Sequence, residues 1–411
     1  MQSVFEAALS IVSPWFISEI SFSEDDKRLD IYIDFNKGTH FPIDESIEKH
    51  PVYDTSLKSW RHLNFFEHEC YLHCRTPRVK LPDGSTKIVT PPWAGKSNGF
   101  SLLFEAFLLQ LCTQMPVLAV SRLTSVSDDK LWRMVAKYVS FARDLEDFES
   151  TTAIGIDETS RRKGHNYITI FVDLDERRTI YATEGKNSET VARFVKDFIA
   201  HNGKVKDIKD VTCDMSKSFI KGVGTHLPNA EITFDKFHIL KMINESVDDT
   251  RRNEVKSNPI LKHSRYVLLK SFNNLTIKEQ KKLSELSHLK RKLKSFRAME
   301  MRNAFSDLYQ IEDMEIFNLR FEEWISWAKR SQIQEMVKVA KTLEKHRSGV
   351  VRWRKTGLSN GILEGLNSLI QAAKAKARGY STFKNLRIMA YLVTGKLEFQ
   401  RVNRNFKYIT H

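Results

Sequence analysis

The 411-residue chain is short of several things, and each shortage narrows what it does. Its four cysteines, Cys70, Cys74, Cys112 and Cys213, are scattered and form no CxxC pair. That spacing speaks against a disulfide framework and suits a reduced, cytoplasmic protein. Long apolar runs are missing too. The N-terminus "MQSVFEAALSIVSPWF" has no basic leader and is broken by Glu6, Pro14 and then Glu19, which argues against a signal peptide or a membrane span. Internal repeats and low-complexity tracts are absent. Acids are outnumbered, 51 Asp plus Glu against 65 Lys plus Arg, for a formal charge of +14. Such an excess points to a polyanion, most often nucleic acid, or else to a solvated basic surface.

What is present starts with core-forming material. At 41% hydrophobic residues the chain can bury large cores, and its length suggests about two or three domains. Residues 1–100 read as a small β-rich module, with "RLDIYIDF" and "CYLHCRTPRVKLPDGSTKIV" alternating apolar and polar residues around a Pro82-Asp83-Gly84 turn. From Leu102 the period becomes helical. "LLFEAFLLQLCTQMP", "VLAVSRLTS" and "SDDKLWRMVAKYVSFARD" predict three short helices, the third capped by Ser127 with Asp128 and Asp129 in its first turn. With the tight "TSVS" turn before the third helix, residues 101–148 have the outline of a helix-turn-helix. Lys130, Arg133 and Lys137 would then reach phosphates or base edges; an ordinary helical connector is the other reading.

Residues 149–252 alternate strands and helices in the order βββαβαβα, which is the order of a ribonuclease-H-like α/β core. Residues 253–350 read as an all-helical insertion, and 351–411 as a returning helix with a basic helical tail. The fold class expected is therefore multidomain α+β. In the core, "TAIGID" closes on Asp157 and "DVTCD" on Asp214. First and fourth strands of such a sheet are neighbours, so the two acids emerge side by side and repel. Hard Mg²⁺ or Mn²⁺ relieves that repulsion with oxygen ligands. A third acid, Glu364 in "NGILEGLNS", sits in a polar stripe with Asn360, Asn367 and Ser368 at helical spacing. Two metal ions held by such acids run in-line phosphodiester displacement. Taken singly, each acid also has a plain reading, as strand cap, helix cap or surface residue.

The segments "WRHLNFFEHECYLHCRTPRVK", "MPVLAVSRLTSVSDDKLWR", "GIDETSRRKGHNY", "CDMSKSF", "FDKFHIL" and "NGILEGLNS" together make nearly the whole chain resemble a bacterial insertion-sequence transposase of the DDE type, the ISL-three family. The resemblance implies a catalytic triad at Asp157, Asp214 and Glu364 that holds Mg²⁺ or Mn²⁺. It also implies binding to terminal inverted repeats and target DNA, strand cleavage and strand transfer, a homodimer on DNA, and a place in the cytoplasm at the nucleoid.

One departure stands out. The family's Cys-rich, zinc-binding N-terminal module is degenerate here: "FPID" (41–44) and "LPDG" (81–84) replace the thiolate pairs, so zinc is not expected and hydrophobic contacts must supply the folding energy. The remaining His68, Cys70, His73 and Cys74 do not share one strand face.

Further candidates are Asp235 and His238 in "FDKFHIL" and Asn360 and Asn367 around Glu364. For phosphate contacts the candidates are Arg161, Arg162 and Lys163 after the first catalytic strand, and Lys374, Lys376 and Arg378 in an acid-free run that continues through Lys384, Arg387 and Lys396. A transposase-derived DNA-binding protein without catalysis, or a junction-resolving nuclease, would keep much of this pattern.

Overall fold

Residues 2–43, 48–97, 99–160, 167–289, 292–357 and 361–408 are described by the computed structural model. They form two units, residues 1–146 with 372–411, and residues 147–371.

The first unit begins with α1 (Gln2–Ala8), followed by β1 (Trp15–Ser23), β2 (Arg28–Phe35), β3 (His40–Pro42), β4 (Lys49–Arg61), β5 (Glu69–Lys80) and β6 (Thr86–Ile88). Their sheet runs β1-β2-β5-β4-β3, with β6 also on β5. Alternation in "RLDIYIDF" sends Leu29, Ile31, Ile33 and Phe35 into the core with Trp15, Trp60, Leu72 and Trp93. Phe41 is 4% exposed and meets the rings of Trp15 and Phe35 at 5.2 and 5.3 Å, while Leu81 packs against the same cluster. Apolar side chains thus fill two of the places, 41 and 81, where the resemblance would put thiolates. Cys70 and Cys74 are buried, and burial pushes both thiols up to about 12, away from the thiolate that binds metal. His73 instead bonds Asp30 at 2.5 Å and Ser59 at 2.7 Å.

Helices α2 (Leu102–Gln114), α3 (Val117–Thr124) and α4 (Asp128–Asp144) follow. Ser101 caps α2 through its hydroxyl. The "TSVS" turn is made at Ser125, in the left-handed region with φ 56°, and Ser127 stands at the N-cap of α4. Leu131, Met134, Val135 and Tyr138 line the buried side of α4.

The second unit opens with β7 (Ala153–Ser160), β8 (Tyr167–Asp173), β9 (Arg178–Glu184), α5 (Ser188–Ala200), β10 (Asp210–Cys213), α6 (Lys217–His226), β11 (Glu231–Phe234) and α7 (Lys236–Glu254). The sheet order is β11-β10-β7-β8-β9. Antiparallel pairing joins β7, β8 and β9, and β10 and β11 run parallel to β7, so the first strand of the unit lies beside its fourth. Asp157 does not end β7. The strand continues to Ser160 because β8 goes on pairing with it, Asp157 opposite Ile170, after β10 has stopped at Cys213. On α5, Val191, Phe194 and Phe198 are buried and Ile199 is 57% exposed.

Helices α8 (Arg265–Leu269), α9 (Ile277–Ser287), α10 (Lys294–Leu308), α11 (Met314–Arg330), α12 (Gln334–Lys345) and α13 (Arg347–Thr356) follow. Their Phe305, Phe321, Trp324 and Leu343 share one hydrophobic cluster with Phe171 of β8, Phe194 of α5 and Ile239 of α7. Gly349 lets α13 lie on β11, since a Cβ there would be 2.4 Å from the Phe234 ring. Next comes α14 (Gly361–Lys376), and its Leu363 presses against Gly155 of β7, where a Cβ would meet Leu363 Cδ1 at 2.5 Å.

The chain then contributes α15 (Phe383–Thr394) and α16 (Phe399–Val402) to the first unit. Just beyond α16, Asn403 donates to Leu102 O and to Tyr138 Oη. The Tyr138 hydroxyl in turn donates to the buried Glu105, which also accepts the N–H groups of Lys96 and Ser97 at 2.7 and 2.6 Å.

Two outcomes follow from this packing. Gly155→Ala is expected to cost about 1–3 kcal/mol by overpacking, with part of the loss recovered in Gly155→Ala/Leu363→Ala; simple additivity in denaturant unfolding would mean that the two residues do not press on each other. In the first unit, Phe41→Ala is expected to cost about 3–5 kcal/mol. Elemental analysis should find no stoichiometric zinc, and a chelator should leave the melting temperature where it was.

Candidate active site

Sheet register builds the site. Asp210, Val211 and Thr212 of β10 lie beside Ala153, Ile154 and Gly155 of β7, so continuing the register by two residues sets Asp214 level with Asp157. Cys213 lies beside Phe234 of β11, and one residue further sets Asp235 level with Asp214; the Asp235 N–H donates to Cys213 O at 3.1 Å. Asp157, Asp214 and Asp235 therefore form a row across adjacent parallel strands, one residue past the ends of β10 and β11 and inside the longer β7. Ligands commonly bind at that edge of an open α/β sheet.

Each acid is held in place. Asp157 accepts the Glu158 N–H at 2.7 Å and the Asn367 amide from α14. One turn on, the Gln371 amide donates to Thr159, so Leu363, Asn367 and Gln371 all anchor α14 along β7. Asp214 accepts from Ser216 N at 2.9 Å, in the turn that leads into α6. Asp235 caps α7 by accepting from Phe237 N at 3.0 Å, and its other oxygen holds His238 Nδ1 at 2.7 Å. Lys236, between them, lies over the rings of Tyr309 and Trp353 at 4.6 and 5.1 Å, which ties the start of α7 to α10 and α13.

Burial, and after it the neighbouring acids, raises three of the carboxyls. Burial pushes the Asp157 carboxyl up to about 6, with Asp235 adding to the rise while the Glu158 N–H, His238 and Asn367 oppose it. Burial first, then Asp214 and Asp157, push Glu158 up to about 7, against Lys186 and His238. Glu364 sits at an exposed position of α14; partial desolvation and then Asp235 still raise its carboxyl, with His238 offsetting. His238 is raised as well, first by its hydrogen bond to Asp235 and then by the charges of Asp235, Asp214 and Asp157, although burial works the other way. The surrounding carboxylates thus all favour the protonated form of the histidine.

The structure brings Asp157, Asp214, Asp235, His238 and Asn367 together and sets Glu364 within electrostatic reach of Asp235 and His238. Asn360, Arg161, Arg162 and Lys163 lie outside the described residues. Glu158 is a site acid that the sequence pattern does not single out, and its one local signal is the acidic pair it forms with Asp157. Among the described residues no three His, Cys, Asp or Glu side chains converge tightly enough to hold one ion. The donor chemistry nevertheless fits a hard divalent cation: the donors are carboxylate oxygens, and their mutual repulsion is of the kind such an ion relieves.

A family model described as a transposase matches residues 154–390, more than half of the chain. The chain belongs to the transposase family ISL3. A second model, the helix-turn-helix domain of transposase family ISL3, matches residues 89–139, which include α2, α3 and most of α4. The transposase for insertion sequence element IS1557 of Mycobacterium tuberculosis (strain ATCC 25618 / H37Rv) is 25% identical, over 95% of this chain and 94% of its own length. The transposase for insertion sequence element IS1001 of Bordetella parapertussis is 26% identical, over 80% of this chain and 82% of its own. As a DDE-type member of this family the chain is a DNA-binding, DNA-cleaving enzyme.

In the helix-turn-helix, Lys130, Arg133 and Lys137 are exposed on α4, and Lys137 Nζ donates to Lys96 O. Lys374 and Lys376 fall in the last turn of α14, and Arg378 follows with φ 54°. Among the described residues no helix is long and apolar enough to cross a membrane.

The raised groups predict a pH dependence of definite sign. Native Asp157, Glu158 and His238 bind protons more tightly than in the unfolded chain. The carboxyls therefore hold more protons in the native state between roughly pH 4 and 7 and His238 does so above its ordinary 6.5, and stability falls as pH rises through both ranges. In metal-free buffer, Asp157→Asn and Glu158→Gln should melt higher than the parent protein at pH 8 and together with it at pH 4. Equal melting temperatures at pH 8 would show that the carboxylates carry no such cost.

Proposed function

We propose that this ISL3-family protein is an insertion-sequence transposase whose second unit is a ribonuclease-H-like catalytic core, with Asp157, Asp214 and Glu364 as the acids that hold Mg²⁺ or Mn²⁺. The observation that carries the reading is the register that sets Asp214 beside Asp157, together with the α14 contacts Leu363–Gly155 and Asn367–Asp157 that bring the Glu364 helix to the same strand. When bound, such ions activate a water or a 3′-hydroxyl and stabilise the leaving oxygen of a phosphodiester.

The chain's own residues do the rest. Asn367 fixes the orientation of Asp157. Asp235 holds the His238 ring at Nδ1 and leaves Nε2, which has no partner among the described residues, to donate to a phosphate oxygen. Asp214 is fixed by the turn at Ser216. The helix-turn-helix binds the terminal inverted repeats through Lys130, Arg133 and Lys137, and Arg161, Arg162, Lys163, Lys374, Lys376 and Arg378 supply phosphate contacts. Two copies pair on DNA so that both ends of the element are cut and joined, and the protein works in the cytoplasm at the nucleoid.

Purified protein should nick or join a labelled end-containing duplex only when Mg²⁺ or Mn²⁺ is present. Asp157→Asn, Asp214→Asn and Glu364→Gln should each lose this activity, and Asn367→Ala should lose about 10–100-fold, as for a residue that orients a metal ligand. Undiminished cleavage in any of the first three removes that residue from the site. End binding with no cleavage under any metal would leave a DNA-binding derivative as the function.

A further inference from the structure

The basic run that begins at Lys374 supplies candidates for phosphate contacts, and its helix α15 is packed on the helix-turn-helix. Trp132 of α4 meets Tyr380 edge-on at 6.1 Å, and the Arg143 guanidinium lies over the Tyr391 ring at 4.8 Å. One contact lies on α15 and the other just before it, and Leu386, Ile388 and Met389 of α15 are buried.

Where the two helices part, an open cleft of about 480 Å³ is lined by Asp129, Trp132 and Arg133 of α4 and by Lys384, Asn385 and Ile388 of α15. Lys130, Arg133, Lys384 and Arg387 are all exposed. Among the described residues none of them is in an ion pair. Arg133 Nε donates only to the Asp129 carbonyl, and Arg387 rests over the Phe383 ring at 5.6 Å. The α15 sequence FKNLRIMAYLVT contains no acid; the carboxylates nearest the cleft are Asp129 and, beside it, Asp128, in the first turn of α4.

We propose that α15 is a second DNA-contacting element, and that α4 and α15 grip one duplex between them, with Arg133 and Lys384 on backbone phosphates at the mouth of the cleft and Arg387 on a phosphate beyond it. The occupant is duplex DNA because the surface is cationic on both helices and because the start of α4, which forms one wall, lies within the helix-turn-helix match. Long basic side chains at such positions fix register on the duplex and do not read its sequence. DNA recognition would then need residues from distant parts of the chain, brought together only by the packing of α15 on α4. The inference rests on the DNA-binding part of the function proposed above and not on its chemistry.

The test is equilibrium binding of the full chain to a fluorescent duplex carrying the element's terminal repeat, in EDTA so that catalysis plays no part, between about 50 and 200 mM salt. Lys384→Ala and Arg387→Ala should each weaken binding and reduce the slope of log K against log[salt] by about one, and the double variant by about two. The preference for the repeat over a scrambled duplex should stay unchanged. Lys278→Ala removes the same charge from α9 and should leave the slope alone. The inference is overturned if the double variant, with a native melting temperature, binds with parental affinity and slope, or if Lys278→Ala loses as much. Either result leaves the metal-dependent cleavage reading untouched, because that reading is scored by its own variants.

Discussion

A row of carboxylates at the end of a sheet is under electrostatic stress, and much of the second unit is arranged around that stress. Asp157, Asp214 and Asp235 are level because parallel strands keep register, so the backbone leaves them no freedom to separate. Burial then removes the water that would screen them, and Asp157 and Glu158 respond by rising toward neutrality. His238 offsets part of this charge and is itself made more basic by its Asp235 partner. A divalent cation would complete the balance, which is the physical reason that a site of this composition suits metal-assisted phosphoryl transfer.

That row becomes a site only because a helix from far along the chain reaches it. Gly155 has no Cβ, and the space this leaves is taken by Leu363; a larger residue would hold α14 away from β7. With the helix seated, the Asn367 amide reaches Asp157 and the Gln371 amide reaches Thr159. The intervening helices α8–α13 also contribute. They share a hydrophobic cluster with the sheet layer, and Gly349 allows α13 to cover the β11 edge, which leaves that edge less open to stray strand pairing.

The first unit solves a different problem. Aromatic packing around Phe41, Trp15 and Phe35 stands where metal ligands would otherwise organise the fold. A buried Glu105 then gathers the loop at Lys96 and Ser97, the Tyr138 hydroxyl of α4 and, through that hydroxyl, Asn403. Buried polar networks of this kind are costly unless every member is satisfied, and satisfying this one ties the helix-turn-helix to the C-terminal residues.

Local pattern carried a good deal of the molecule. Alternation marked "RLDIYIDF" as a strand, the run "TAIGID" marked β7, and helical period with the "TSVS" turn marked α2–α4, because these signals depend on residues only a few positions apart. The acids Asp157 and Asp214 were visible for the same reason, as charges closing apolar runs. Where β7 ends was not visible, since that depends on β8 continuing after β10 has stopped. Glu158 could not be ranked among the site acids, because its environment is made by Asp214 and Lys186, which lie elsewhere in the sequence. The seating of α15 on α4 was likewise decided by tertiary structure alone. Sequence determined which residues carry charge and on which element; only packing decided which charges face one another, because Coulomb energy and desolvation depend on distance through space and not on separation along the chain.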